Sequence, residues 1–152
     1  MIVEYTQKGL IKREVYAPTL TQPHLDKSKH NLRFVSKNMS DEEFNDWTVV
    51  ALYYAIYHAC LALIAKKGYV TKDHGATLLL LIKEYGITEE EVKLINDLHI
   101  TKDDAEFYSN LKEKRRQASY ATNTLFRTKK VKELREQTLL FINKAEEMLA
   151  QK

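Results

Sequence analysis

Residues 47–65 read "WTVVALYYAIYHACLALIA", nineteen positions without a formal charge at neutral pH. That length could cross a bilayer. Thr48, His58 and three tyrosines interrupt it, however, and alanine rather than leucine supplies its bulk. On a helix, Val50, Tyr54, Tyr57, Leu61 and Ile64 keep a heptad-like spacing along one stripe. Beside them Ala51, Ala55, Ala59 and Ala62 form a uniformly small row against which a neighbouring helix can pack closely. The stretch predicts the central helix of a bundle, covered on most sides, with no membrane role.

Its surroundings supply the partners. Ser40 and Glu43 have the spacing of a capping box and open this helix, which runs to about Lys67 and stops at Gly68. Before it, Thr21 and Pro23 suit a helix start, and Leu25, Leu32, Val35 and Met39 give a first helix its apolar stripe to about Asn38. After it, the loop "YVTKDHG" leads into a shorter helix from about Gly75 to Glu84. "GITEEEVKLINDLH" predicts a separate helix, capped by Thr88 with Glu91 three residues on. Asp103 or Asp104 opens a long basic helix to about Phe126. A last amphipathic helix carries Val131, Leu134, Thr138, Phe141, Ala145 and Met148. Residues 1–20 alternate only loosely and close on Ala17-Pro18. The expectation is an all-α protein: an irregular N-terminal arm over 1–20, then over 21–152 an antiparallel up-and-down four-helix bundle with one or two short extra helices.

Composition agrees. The chain has 152 residues with only four glycines and two prolines, few enough to imply long helices and few tight turns. A single cysteine, Cys60, excludes an internal disulfide and fits a small buried thiol in a reducing, cytoplasmic setting. The opening "MIVEYTQKGLIKRE" carries charges where a signal peptide needs an apolar core. Charge is unevenly placed. Residues 84–106 hold eight acids against two bases, whereas 112–132 hold eight bases against one acid. That layout suits a basic patch for phosphate or nucleic acid beside an acidic surface.

The basic segment includes "LKEKRRQASYATNTLF", residues 111–126. Arg115 falls at the margin of the apolar stripe made by Leu111, Ala118, Thr122 and Leu125. Arg116 and Tyr120 point roughly the other way, with Lys112. A guanidinium at the edge of a core wants a carboxylate, a tyrosine or a bound phosphate. Two further features stand out: Tyr54 and His58, one turn apart on an otherwise apolar helix, and His74 at the entry to the third helix. His24, His30, His58, His74 and His99 are dispersed, so spacing predicts no zinc site. With no phosphate-binding glycine loop either, no cofactor is expected.

Together these elements resemble the HEPN family, small helical domains often encoded beside minimal nucleotidyltransferases. The resemblance rests on Tyr53-Tyr54-Ala55 and Tyr57-His58-Ala59, then Ala65-Lys66-Lys67-Gly68 and His74-Gly75, then Arg115 and Arg116 with Ala118 and Tyr120. It implies a four-helix bundle, usually a homodimer, with a polar cleft at or near the dimer interface. In members that are metal-independent ribonucleases, an arginine precedes a histidine by four to six residues. Here Tyr120 stands where that histidine is expected, and no histidine follows. In some toxin pairs a tyrosine near this motif is adenylylated by the partner enzyme, a role open to Tyr120.

The resemblance implies a toxin–antitoxin component binding RNA or nucleotide through Arg115, Arg116, Tyr120, Tyr54, His74 and Lys112. If it is an endoribonuclease, Arg115, Tyr120 and His58 are the catalytic candidates. The alternative is a non-catalytic dimeric module that docks a nucleotidyltransferase.

Overall fold

The computed structural model describes residues 1–114 and 128–151, and the side chains of 108–114 lie outside that description. Four long helices form the body: α2 (Thr21–Asn38), α3 (Asn45–Lys66), α5 (Glu89–Lys114) and α6 (Thr128–Ala150), with the shorter α4 (His74–Tyr85) between the second and third. Their directions follow from side-chain pairings. Ser28 of α2 donates to the carbonyl of Ala55, and His24 meets His58, so numbers rise on one helix as they fall on the other. Asn45 contacts Thr128 and Lys66 contacts the Leu149 carbonyl, so α3 and α6 run the same way. This is the up-and-down order expected of diagonal partners in a four-helix bundle.

The uncharged run occupies the interior. In α3, Leu52, Ala55, Ile56, Ala59, Cys60, Ala62 and Leu63 are wholly buried, against Val35, Leu80, Leu81, Ile95, Leu98, Leu134 and Ile142 from the other helices. The stretch Glu42–Lys66 is long and apolar enough to cross a membrane, yet 72% of its most apolar window is buried by the bundle. Burial also raises the pKa of the Cys60 thiol, keeping it protonated and unreactive.

Helix ends match their residues, with three differences, the first at α2, where Thr21 is the first helical residue and does not cap: the cap position is Leu20, without a side-chain hydrogen bond. The Thr88–Glu91 box forms reciprocally: the Thr88 amide donates to Glu91 Oε1 at 2.9 Å and the Glu91 amide donates to Thr88 Oγ1 at 3.1 Å. Gly86 ends α4 in the left-handed region at φ 60°, open to glycine without a Cβ penalty. The Ser40 capping box does not form. Asp41 instead accepts from the Glu43 amide at the head of a single 3-10 turn, Glu42–Phe44, and α3 starts one residue later. Nor does a new helix open at Asp103. Helix α5 runs unbroken from Glu89 to Lys114, and within it Asp103 and Glu106 pair with Lys102 instead of capping a new helix.

The arm is irregular but ordered. It contains a six-residue helix α1 (Ile2–Gln7), a two-residue strand β1 (Lys12–Arg13) and a 3-10 turn over Ala17–Leu20. Strand β1 pairs antiparallel with β2 (Tyr69–Val70).

Candidate functional site

The described polar groups converge on one face, where α3, α4 and α5 meet. Tyr53 projects from the middle of α3. His74 is the first residue of α4, set there by Asp73, whose carboxylate accepts from the Ala76 amide at 2.8 Å. His99, Lys102 and Asp103 share one face of α5 at helical spacing. The two imidazoles stack, with ring centroids 4.0 Å apart. The Tyr53 hydroxyl bridges them, lying 3.4 Å from His74 Nδ1 and 3.1 Å from His99 Nδ1.

The partners order the protons. His74 Nε2 lies 2.9 Å from Asn96 Oδ1, an acceptor, which favours the tautomer with hydrogen on Nε2 and a lone pair on Nδ1. Tyr53 donates to it and in turn accepts from His99 Nδ1–H. This leaves His99 Nε2 as the unprotonated atom of the neutral chain. It faces Asp103 at 3.7 Å, on a side chain still 32% exposed. Burial first, then the neighbouring His74 and Lys102, lower the His99 pKa against the opposing pull of Asp103. The lowered pKa favours a neutral His99 imidazole, whose Nε2 faces the Asp103 carboxylate on a part-exposed side chain. Burial and the adjacent Tyr57 raise the Tyr53 pKa strongly, so it remains a phenol.

Lys102 closes the site. It is only 9% exposed, and its ammonium lies 2.6 Å from Asp103, 3.9 Å from Glu106 and 5.0 Å from the centroid of the Tyr53 ring. Burial works against its charge, but the Asp103 hydrogen bond and Glu106 outweigh burial and raise its pKa. The result is a cation held beside two imidazoles, a phenol and a carboxylate.

The sequence-predicted residues separate. His74 lies in this cluster. Tyr54 stands half-buried at its edge, its ring T-shaped against Tyr53 at 5.2 Å. His58 does not pair with Tyr54: it turns to α2, and its Nδ1 lies 3.1 Å from that of His24. Burial and the adjacent His24 and Lys27 lower the His58 pKa to about 4. Arg115, Arg116 and Tyr120 lie outside the described residues, as does the side chain of Lys112. Sequence reasoning missed Tyr53, Asn96, His99, Lys102 and Asp103. The one legible signal was His99 followed at three and four positions by Lys102 and Asp103 on a helix. Its meeting with His74 depends on how α4 and α5 each pack against α3. Among the described residues no group of three or more histidine, cysteine or acidic side chains could hold a metal ion.

Comparison with known proteins identifies the scaffold. Residues 21–150 match the HEPN domain family. The chain belongs to that family. Over 100 residues this HEPN chain is 28% identical to "Putative toxin MJ0142" of Methanocaldococcus jannaschii, an alignment covering 63% of this chain and 67% of that protein. No solved structure matches it. The HEPN match takes in all four long helices, and so every residue of the Tyr53–His74–His99 cluster.

Proposed function

We propose that this HEPN protein is the toxin of a toxin–antitoxin pair, binding RNA and cleaving it without metal. The observation that carries this reading is the Tyr53-bridged His74–His99 pair. Its His99 lies on α5, the helix whose sequence leads directly into Lys112, Arg115, Arg116 and Tyr120. The relative's name supports a toxin-like role.

In this scheme His99 Nε2 takes the proton of a ribose 2′-hydroxyl, and that oxygen attacks the adjacent phosphorus. The bond from phosphorus to the 5′-oxygen breaks, water supplies the proton of the departing oxygen, and the hydroxide so formed takes the proton held by His99. The products are a 2′,3′-cyclic phosphate and a 5′-hydroxyl. Arg115 and Arg116 neutralise the charge that grows on the phosphoryl oxygens. Tyr53 and His74 hold the His99 ring in the tautomer that leaves Nε2 free. The proton-transfer role thus passes from His58 to His99, and Tyr120 is left to stack on a base or to accept adenylylation from a partner. Single-stranded RNA incubated with purified protein in EDTA tests this. Cleavage should fall about a hundredfold or more in Arg115→Ala and in His99→Ala; an intact substrate with the wild-type protein would refute it.

A second reading is a non-catalytic module that docks a nucleotidyltransferase. A groove of about 400 Å³ between α5 and α6 favours it, lined by Glu90, Leu94, Asp97, Leu140, Phe141 and Lys144. Leu140 is 71% exposed there. Stable co-elution with that enzyme and no RNA cleavage would select this reading.

A further inference from the structure

The family match begins at residue 21, so the ordered arm of residues 1–20 lies outside the shared domain. It nevertheless grips the segment that carries His74 at both ends. At the near end, β1 pairs with β2 in the register Lys12↔Val70 and Arg13↔Tyr69, and the Glu14 amide donates to the Gly68 carbonyl. Arg13 also donates to the Tyr69 hydroxyl at 2.6 Å, which itself donates to Glu84 of α4 at 3.1 Å. At the far end, Ile2 and Tyr5 of α1 pack onto the core beside α4. The Tyr5 hydroxyl sits over Gly75, the residue after His74. A Cβ added to Gly75 would meet that oxygen at 2.9 Å, closer than carbon atoms of that kind tolerate, while Tyr5 Cζ is 3.7 Å away, an ordinary contact. Gly75 thus leaves room for the Tyr5 hydroxyl at the first turn of α4.

We infer that the arm is a positioning element, in which Tyr5, seated in the notch left by Gly75, fixes the start of α4 and so holds the His74 imidazole against Tyr53 and His99. The inference rests on the reading of that cluster as the working site. It makes Tyr5 a positioning residue, acting through His74 and touching no substrate. The arm then does for this chain what a supporting shell does for any catalytic group: it restricts the ring to one orientation without taking part in the reaction.

The steric detail supplies a compensating pair. Gly75→Ala crowds the Tyr5 hydroxyl and should push it aside. Tyr5→Phe removes only the clashing oxygen, so the double variant should readmit the ring. The other neighbour of an added Cβ, Asp73 Oδ1 at 3.3 Å, is the same in both backgrounds and cancels in the comparison.

The test is the imidazole nitrogen and proton spectrum of His74 in the full-length wild type, Tyr5→Phe, Gly75→Ala and the double variant, with RNA cleavage measured alongside. Gly75→Ala should shift the His74 ring resonances and lower cleavage about tenfold or more. The double variant should return both toward wild type. Should Gly75→Ala fail to fold, Tyr5→Ala removes the same contact without added bulk and should shift His74 likewise. Unmoved His74 resonances in Gly75→Ala or Tyr5→Ala, or an equal shift with and without Tyr5→Phe, would overturn the inference. A compensating pattern at His74 with no RNA cleavage by any variant would sustain the positioning role and refute the ribonuclease reading instead.

Discussion

Lys102 shows how one buried cation sets the chemistry of its neighbours. Its ammonium lowers the His99 pKa directly and, by pairing with Asp103, withholds part of the carboxylate that would raise it. Both effects reverse in the same direction when the charge is removed. Lys102→Met, which keeps the stem and discards the ammonium, should therefore raise the His99 pKa. An NMR titration of the His99 ring reads this directly; an unchanged or lower value would show that Lys102 does not control the imidazole. The same residue explains a miss in the sequence. A lysine between acids on a helix reads as a solvated surface charge, and only the Tyr53 ring beneath it makes the site enclosed.

At the scale of elements, caps and interhelical pairs decide where α3 and α5 lie. Thr88 and Glu91 close the head of α5, and Glu91 also accepts from Lys144 of α6 at 2.8 Å. Although burial opposes it, the Lys144 hydrogen bond together with the Thr88 contacts lowers the Glu91 pKa. Thr88→Ala should cost about 1 kcal/mol of stability by urea denaturation; no loss would mean that the box is idle.

The His24–His58 pair between α2 and α3 makes a different prediction. Its folded-state pKa values lie below 6.5, that of His58 at about 4. As pH falls from 6.5 toward 4, the unfolded chain binds protons that the folded pair refuses, and stability declines. His58→Asn should flatten the fall of Tm across that window. An unchanged slope would assign acid sensitivity to other groups. Element limits were legible where caps are local, as at Thr88. They were not legible where side chains satisfied one another inside a helix, as at Asp103. The period-two look of residues 1–20 concealed a short helix and a strand that form only against α4 and β2.

For the whole molecule, an uncharged run long enough for a membrane becomes the shared wall of a helical bundle, and the small alanine row lets its neighbours close around it. This architecture was readable because periodicity and glycine scarcity are properties of the chain alone. The candidate cluster was less legible than the fold. His74 belongs to the polar cluster, but the convergence of positions 53, 74 and 99 depends on how three helices pack and leaves no spacing signature.

The central claim is that this cluster and the basic segment following it bind RNA together. Titrating isotope-labelled protein with a short single-stranded RNA in EDTA tests it most directly. The account predicts that the His74 and His99 ring resonances and the backbone amides from Lys112 to Tyr120 shift together as RNA is added. Shifts confined to other surfaces, with these groups unmoved at saturating RNA, would contradict it.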